Sequence, residues 1–464
     1  MAKGALMKVL IAAAECSPLA RTGGLGEAVA GLAGALRRDG VDITVAIPRY
    51  RHLAGFGVEE EAPGPARAIA RVDSDGLPVL LVDDPWSFDR PGIYGPDPGS
   101  GYDDQWQRFG RFLVTVREMA DGYDLVHLHD AHTGPAALHS PVPTVFTIHN
   151  SLYSILGPLA EAADLVGATP EDRAPAGSIE WYGQANYLKA GLVGADAVTT
   201  VSPTFARELS ADASLSGGLD GVIRTLEQPV VGILNGIDTG SWNPGNDPTL
   251  PAPFTATDLQ GRDQARRAIL RLSGLDPGRM LLGMVTRLTD QKGIALLDPS
   301  MDRLVEEGFR LVVVGNGDLD GMVDGWAARN PESVWHAPYT EDLARLVSAG
   351  IDAFLMPSLF EPCGLGQMYA MRYGAVPIVR LTGGLADTVV DLDEDPQRGT
   401  GFGFRSFTPK SLLKTIRRAG RILTHHPRDW RRLQTNAMST DFSWVMSAAR
   451  YSDVYRSVAG RGVS

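Results

Sequence analysis

The chain has 464 residues, and 43 Lys and Arg against 55 Asp and Glu give it a formal net charge of −12. Hydrophobic residues make up 44% and charged residues 21%, which are ordinary fractions for globular domains and exclude a largely disordered chain. The acidity and the lack of long Lys/Arg runs exclude nucleic-acid binding as the main task. The length predicts two or three domains.

The N-terminus and the cysteines predict the compartment. The apolar run Val9–Ala14 stops at Glu15, so it predicts a first buried strand rather than a signal peptide. No window approaches the ~18–20 apolar residues of a membrane span. Cys16 and Cys363 lie far apart, which excludes a disulfide scaffold and a zinc ribbon and favours a reducing compartment. We therefore expect a cytoplasmic protein with no membrane or nucleic-acid partner.

Short apolar runs alternate with helix-length segments, which is typical of βαβ units and parallel sheets. A helix is predicted over Gly24–Arg38, closed by Asp39-Gly40 because glycine accepts the left-handed conformation at a helix end. The strands predicted in the first half are Val9–Ala14, Asp42–Pro48, Val79–Val82, Leu125–His129, Thr144–His149, Ala197–Val201 and Val230–Leu234. The Pro-rich stretch Asn235–Thr255 predicts a linker. The strands predicted after it are Leu281–Thr286, Phe309–Val314, Ser333–Trp335, Ala353–Met356 and Val376–Val379, followed by a helical tail from Trp430.

A glycine-rich turn, Arg21-Thr-Gly-Gly-Leu-Gly-Glu27, follows the first strand. The backbone N–H groups of such a turn, together with a helix N-terminus, bind anions. A plain structural turn stays open as an alternative. The turn lacks the spacing of the dinucleotide fingerprint, so a nicotinamide cofactor is not favoured.

Histidines and an aspartate lie at the ends of two consecutive predicted strands. In His127-Leu-His129-Asp130-Ala-His132, alternation on a strand puts Asp130 on the face opposite the first two histidines. No HExxH motif or Cys pair completes a zinc site, so contacts with sugar hydroxyls or with a leaving group suit these residues better than a metal. Thr147-Ile-His149-Asn150 ends the next predicted strand, and a buried histidine with a purely structural role stays open there as an alternative. The segment Glu180–Lys189 mixes aromatic rings with amides, which suits a sugar platform or a packed helix.

The second half carries a pair of cations at a strand end. In Thr286-Arg287-Leu-Thr-Asp-Gln-Lys292-Gly293, arginine supplies a planar donor fork and lysine a point charge, which together suit a diphosphate. A solvated surface turn is the alternative. Phe360-Glu361-Pro-Cys363-Gly364-Leu-Gly366 and Thr382-Gly383-Gly384-Leu385 add a carboxylate and two more glycine turns. Together these motifs predict a nucleotide-diphosphate ligand.

In chain order these motifs resemble the bacterial glycogen synthase and starch synthase family. The resemblance runs from Lys8 to Tyr451 and includes the further motifs Val201–Ala206, Ile233–Asp238, Tyr369–Gly374 and Asp441–Trp444. It implies an α/β GT-B fold, with two Rossmann-like domains facing a cleft and a C-terminal helix that crosses back to the N-terminal domain. The expected boundaries are 1–248 for the acceptor-side domain, 249–435 for the nucleotide-donor domain and 436–464 for the returning helical segment.

The resemblance also implies an activity and its residues. Family members transfer glucose, with retention and without a metal or other cofactor, from a nucleotide-diphosphate sugar to the 4-hydroxyl of an α-glucan. The implied catalytic residues are Arg287, Lys292, Glu361, His149 and Asp130. The implied donor-binding residues are Arg21, Gly23, Gly24, Asn235, Tyr339, Cys363, Gly364, Leu365, Gly366, Thr382, Gly383 and Gly384. Acceptor binding is assigned to His132, Asn150 and Tyr182.

Departures from the family pattern cluster where the donor sugar and the acceptor are expected. Arg21 and Glu27 stand where the family has Lys and Asp, Ala131 replaces a Trp, and the residues after Asn150 differ from the family motif. Leu359 and Gly366 replace an Arg and a Thr of the motif around Glu361, whereas Arg287 and Lys292 are unchanged.

These departures favour a specialised enzyme that acts on a malto-oligosaccharide-like or amino-sugar acceptor. They leave open a cyclitol in place of the donor sugar, as in a pseudo-glycosyltransferase. An ordinary glycogen synthase using ADP-glucose and a non-catalytic glucan or nucleotide-sugar binding protein are the alternatives. A homo-oligomer also stays open.

Overall fold

The structure is a computed structural model that describes residues 6–57, 60–61, 64–97 and 99–461. The chain divides into two compact units, Met1–Gly236 together with Trp444–Ser464, and Ile237–Ser443. Within the described residues, no helix is long and apolar enough to cross a membrane.

The first unit is an α/β unit built on strands of both orientations. Its strands are β1 (Lys8–Ala12), β2 (Asp42–Pro48), β3 (Glu60–Glu61), β4 (Ala68–Ser74), β5 (Leu77–Asp83), β6 (Leu125–His129), β7 (Thr144–Ile148), β8 (Leu156–Pro158), β9 (Glu180–Trp181), β10 (Gln184–Asn186), β11 (Ala197–Thr200) and β12 (Val231–Gly232). Its helices up to the unit boundary are α1 (Gly24–Arg38), α2 (Pro85–Phe88), α3 (Gln105–Met119), α4 (Leu159–Val166), α5 (Pro170–Arg173), α6 (Tyr187–Gly194), α7 (Pro203–Ala211), α8 (Ala213–Ser216) and α9 (Asp220–Thr225).

A nine-stranded sheet runs through this unit in the order β12-β11-β7-β6-β1-β2-β5-β4-β3. The strands pair in parallel from β12 to β5, while β4 and β3 join antiparallel at one edge. Every residue of β6 and β7 is buried, as expected for central strands of a parallel sheet covered on both faces. The carboxyl ends of β1, β6 and β7 therefore meet at one edge of the sheet.

The second unit holds a six-stranded parallel sheet. Its strands are β13 (Met280–Val285), β14 (Phe309–Val314), β15 (Val334–Ala337), β16 (Ala353–Met356), β17 (Val376–Arg380) and β18 (Phe402–Phe404), in the spatial order β15-β14-β13-β16-β17-β18. Its helices are α10 (Gln260–Ser273), α11 (Met301–Glu306), α12 (Asp320–Arg329), α13 (Glu341–Gly350), α14 (Gly366–Arg372), α15 (Gly383–Thr388), α16 (Pro409–His425) and α17 (Pro427–Ser439). The central strand β13 leads directly into the segment that carries Arg287 and Lys292.

The last helix, α18 (Trp444–Arg461), belongs to the first unit. The Tyr455 hydroxyl lies 2.7 Å from Nδ1 of His127 in β6, and the Ser447 hydroxyl donates to the Leu234 carbonyl at 2.6 Å. Gly31 on α1 makes room for the indole, since a Cβ there would lie 2.1 Å from Nε1 of Trp444. The return of the C-terminal helix to the N-terminal unit is therefore confirmed.

The unit boundaries differ from the expected domain boundaries at 248 and 435, because the units change after Gly236 and before Trp444. The segment expected to be a linker packs on the second unit. Trp242 stacks on Tyr369 with ring centroids 3.9 Å apart, and Nη1 of Arg345 donates to the Ser241 carbonyl at 2.7 Å. Turn-rich composition predicts irregular backbone, but these aromatic and guanidinium contacts decide which unit holds it.

Candidate functional site

The glycine turn between β1 and α1 rests on a buried carboxylate, Glu15, which is 2% exposed. Oε2 of Glu15 accepts the backbone N–H groups of Thr22 at 2.6 Å and Gly23 at 3.3 Å. Oε1 accepts the Thr22 hydroxyl at 2.8 Å. An internal carboxylate thus occupies two of the N–H donors of the turn. The helix itself begins at Gly24, and the first N–H groups of a helix have no partner within the helix.

Two of the family departures contact each other in this turn. Nη2 of Arg21 lies 2.8 Å from Oε1 of Glu27, and the side chains are 38% and 23% exposed. The two departures therefore describe one paired change in the first turn of α1.

The imidazoles of β6 form two separate hydrogen bonds with residues in and just after β7. Nδ1 of His129 lies 2.8 Å from Nε2 of His149, and Nε2 of His127 lies 2.6 Å from the Thr147 hydroxyl. Burial holds the pKa of His149 and of His127 down at about 3, and that of His129 well below its usual range. These imidazoles are therefore neutral at physiological pH, and each can offer one donor and one acceptor.

Asp130 connects the two motifs of the first unit. Its backbone is left-handed, with φ of 57°, which turns the carboxylate toward the end of β7. Oδ1 accepts the N–H groups of His149 at 2.6 Å and Asn150 at 3.2 Å. Burial raises the pKa of Asp130 to about 7, against the lowering effect of those two N–H donors. The structure thus joins His149, Asp130 and Asn150 in one arrangement.

His132 packs between aromatic rings and not against another motif histidine. Its ring centroid lies 4.6 Å from that of Phe109 and 5.1 Å from that of Tyr94. Burial lowers the pKa of His132 to about 3, and its Nδ1 has no hydrogen-bond partner among the described residues. Neighbouring Ala131 is 0% exposed and belongs to the hydrophobic core. The replacement of the family Trp by Ala131 therefore falls at a buried position of the core.

The other assigned residues of the first unit are spread out. Asn235 is 8% exposed, and the Asn150 side chain accepts the Leu152 N–H at 3.0 Å. Tyr182 is 87% exposed at the tip of the β9–β10 hairpin, where its backbone is left-handed. The expected packed helix begins only at Tyr187, so this aromatic segment is a hairpin that leads into a helix.

The cationic motif of the second unit follows β13. Nζ of Lys292 lies 2.7 Å from Oε2 of Glu361, with side chains 15% and 8% exposed. The Ser358 hydroxyl donates to the same carboxylate oxygen at 3.1 Å. Arg287 is exposed, and it forms no ion pair with any residue that the structure describes. The structure therefore brings Lys292 and Glu361 together and leaves the Arg287 guanidinium open to a ligand.

The two later glycine turns interlock next to Glu361. The Gly384 N–H donates to the carbonyls of Glu361 and Pro362, at 3.1 Å each. A Cβ on Gly383 would lie 2.0 Å from the Glu361 carbonyl oxygen, and one on Gly384 would lie 2.1 Å from that of Cys363. Both glycines are thus required by close backbone approach, and they place the start of α15 beside that of α14.

The remaining donor assignments lie around these turns. Thr382 precedes α15 and is 2% exposed, and Cys363 is 5% exposed. Gly364, with φ of 73°, Leu365 and Gly366 lead into α14 and are half-buried. Tyr339 is 46% exposed beyond β15, and its N–H donates to the Asn316 side chain at 3.3 Å.

The histidines do not assemble a metal site. In the part of the chain that the structure describes, no three His, Cys, Asp or Glu side chains are grouped so that they could hold a metal ion. Sequence reasoning also missed Glu15 and Tyr94, whose hydroxyl donates to Oε1 of Glu15 at 2.5 Å. The only signal for Glu15 was a charged residue directly after a buried strand.

Two family models match the chain. The model described as the starch synthase catalytic domain matches residues 8–225, and the model described as glycosyl transferases group 1 matches residues 266–423. The glycogen synthase of Syntrophotalea carbinolica is 38% identical over 482 residues, covering 97% of this chain and 98% of that protein. The glycogen synthase of Alkalilimnicola ehrlichii is 39% identical over 491 residues, covering 99% and 100%.

Solved structures are similar over the whole chain. The catalytic domain of starch synthase IV from Arabidopsis thaliana, bound to ADP and acarbose, has a TM-score of 0.85 and 32% identity, covering 98% of this chain and 99% of that one. The sucrose-phosphate synthase from Thermosynechococcus elongatus has a TM-score of 0.63 at 17% identity, covering 98% and 100%, a likeness of fold alone.

Proposed function

Because this chain belongs to the glycogen synthase and starch synthase family of GT-B glycosyltransferases, we propose that it is an ordinary glycogen synthase. In this proposal it transfers a glucosyl group from ADP-glucose to the 4-hydroxyl of an α-glucan, with retention of configuration. The observation that carries the proposal is the cationic motif after β13, where Lys292 is fixed on Glu361 and Arg287 is open. ADP is chosen as the nucleotide because the similar starch synthase structure is bound to ADP.

The charges of the second unit suit the departure of a diphosphate. Bond cleavage at the sugar places negative charge on the leaving β-phosphate, and cations already held in position stabilise that charge without reorganising. Arg287 provides a fork for two phosphate oxygens, and Lys292 a point charge. Glu361 both orients the ammonium and offers its second oxygen to a sugar hydroxyl.

The polar groups of the first unit suit sugar hydroxyls. Neutral His149 can donate to or accept from a hydroxyl, and Asp130 fixes the backbone of His149 and Asn150. We assign the glucosyl and acceptor hydroxyls to these residues. No metal takes part in the proposed transfer, so transfer measured in EDTA should equal transfer without it.

The relatives favour the ordinary synthase over the specialised enzyme that the departures suggest. The structure describes the surroundings of three of those departures. Ala131 lies in the core, and Arg21 pairs with Glu27. An amino-sugar acceptor, a cyclitol donor, a homo-oligomeric state and a cytoplasmic location stay predictions.

A panel of donors and acceptors tests the proposal. Purified protein is given ADP-, UDP- or GDP-glucose with glycogen, maltotetraose or an amino-sugar-containing maltoside, and kcat/KM is compared. We expect the highest value for ADP-glucose with glycogen or maltotetraose, and its loss in Arg287→Ala. Preference for the amino-sugar acceptor would favour the specialised enzyme. Binding of ADP-glucose without transfer to any acceptor would favour the non-catalytic binding protein.

A further inference from the structure

We propose that Glu15 is a positioning residue that holds the glycine turn at the start of α1 in its ligand-binding conformation. This inference rests on the proposed function, since the family resemblance assigns Arg21, Gly23 and Gly24 of the turn to donor binding. The turn itself is open to solvent, because residues 21–24 are exposed, whereas Glu15 beneath it is 2% exposed. A carboxylate is seldom buried without partners, and here its partners are the turn.

Four donors converge on the two oxygens of Glu15. Thr22 contributes its N–H and its hydroxyl, Gly23 its N–H and Tyr94 its hydroxyl, at distances from 2.5 to 3.3 Å. Within the residues that the structure describes, Glu15 forms no ion pair with a cation. The carboxylate is therefore held by neutral donors and by the positive end of α1, which begins at Gly24.

The N-cap of α1 explains why an internal carboxylate is needed. Gly23 occupies the N-cap position and has no side chain that could satisfy the first N–H groups of the helix. Glycine residues also leave the turn with many accessible conformations. Glu15 accepts the N–H groups of Thr22 and Gly23, the two residues that lead into α1, and so limits the conformations that the turn can adopt.

Tyr94 extends the same contact to a distant part of the unit. Its hydroxyl donates to Glu15 at 2.5 Å, and its ring lies against that of His132, with centroids 5.1 Å apart. Through Tyr94, Glu15 connects the glycine turn with the motif that carries Asp130 and His132. Loss of the carboxylate should therefore disturb both the turn and the position of the Tyr94 hydroxyl.

The substitution Glu15→Gln tests this role, because it keeps the shape, removes the negative charge that attracts the two N–H groups, and replaces the acceptor of the Thr22 and Tyr94 hydroxyls by an NH₂ group. We expect faster amide hydrogen exchange at Thr22 to Leu25 than in the wild type. We also expect kcat/KM for ADP-glucose to fall roughly tenfold or more, the size of a lost hydrogen bond to a charged group. Glu15→Asp, which restores the charge with a shorter reach, should recover part of this loss. Binding of ADP alone should stay near the wild-type level, since Arg287 and Lys292 belong to the second unit.

Asp172→Asn is the matched control, because Asp172 is a buried carboxylate of the same unit that accepts the Thr169 N–H in the capping box of α5 and accepts from His139 at 2.7 Å. It should leave turn exchange and kcat/KM unchanged. If Glu15→Gln does not fold, Tyr94→Phe, which removes one hydrogen bond and keeps the ring, should give the same two changes in smaller measure. Unchanged turn exchange in a folded Glu15→Gln, or an equal loss of kcat/KM in Asp172→Asn, would overturn the inference. A wild type that transfers no glucosyl group would refute the proposed function instead, and the exchange comparison would still decide the role of Glu15.

Discussion

Removal of the Lys292 ammonium should lower both stability and activity, since Lys292 neutralises a buried carboxylate. Lys292→Met keeps most of the aliphatic chain and leaves Glu361, which is 6% exposed, with the Ser358 hydroxyl as its remaining side-chain donor. Breaking a buried ion pair from one side costs about 3–5 kcal/mol. Because the Lys292 side chain is 15% exposed, solvent screens part of the interaction, and we expect a loss of about 3 kcal/mol.

A double-mutant cycle separates this pair from general packing. The free energy of unfolding is measured by urea denaturation for the wild type, Lys292→Met, Glu361→Gln and the double variant. In the double variant neither charge is left unpaired, so its loss should be smaller than the sum of the two single losses by roughly 2 kcal/mol. Arg287→Ala is the control, because an exposed side chain without an ion pair should change stability by less than about 0.5 kcal/mol. Both Lys292→Met and Arg287→Ala should lower turnover.

Additive losses, within about 0.5 kcal/mol, would refute the view that Lys292 and Glu361 act as a pair. A loss of stability in Arg287→Ala as large as that in Lys292→Met would refute the assignment of Arg287 as an open ligand contact.

Three further predictions concern the turns and the histidines. Gly384→Ala should abolish transfer and lower the free energy of unfolding, because its Cβ would lie 2.1 Å from the Cys363 carbonyl oxygen. Gly321→Ala in α12 is the control: nothing lies within 4 Å of its Cβ, so the free energy of unfolding should rise by up to about 1 kcal/mol. Equal urea midpoints for the two variants would contradict this prediction. Burial lowers the pKa of His132 to about 3. Between about pH 3 and 6.5 this histidine is protonated in the unfolded chain and neutral in the folded one, so the free energy of unfolding falls as pH drops through that range. Urea midpoints at pH 5 and pH 7.5 should therefore differ less in His132→Phe than in the wild type. Arg21→Lys combined with Glu27→Asp should retain more kcat/KM than either single change, and a double variant worse than both would show that the two positions act separately.

Sequence patterns predict the central strands well, because those strands are buried on both faces and read as continuous apolar runs. The predicted bounds of β2, β6, β14 and β16 and of helix α1 are those found. Strand β4, next to the edge strand β3, is not predicted because Arg71 and Asp73 interrupt its apolar pattern on the exposed side. Strands β8 to β10 are two or three residues long, too short for a periodic signal.

The contacts within the candidate site were harder to predict than its residues. Motif order indicates that His149 and Asp130 end neighbouring strands, but the bond between them depends on the left-handed backbone of Asp130. The Glu15 contact with Tyr94 spans 79 positions of the chain, a separation at which no local pattern operates. The burial of Ala131 likewise follows from packing between distant segments, so the sequence alone predicts an acceptor-side role for this position and not its place in the core.

The product of the reaction tests the central claim most directly. Maltotetraose and ADP-glucose are incubated with the purified protein, and the new glycosidic bond is followed by proton NMR from its first appearance. The proposed function predicts a growing α-1,4 anomeric signal in step with ADP release, and no such signal with Arg287→Ala. A first product with the β configuration, a linkage to another hydroxyl, or ADP release with no new glycosidic bond would contradict the assignment of this chain as a retaining α-glucan synthase.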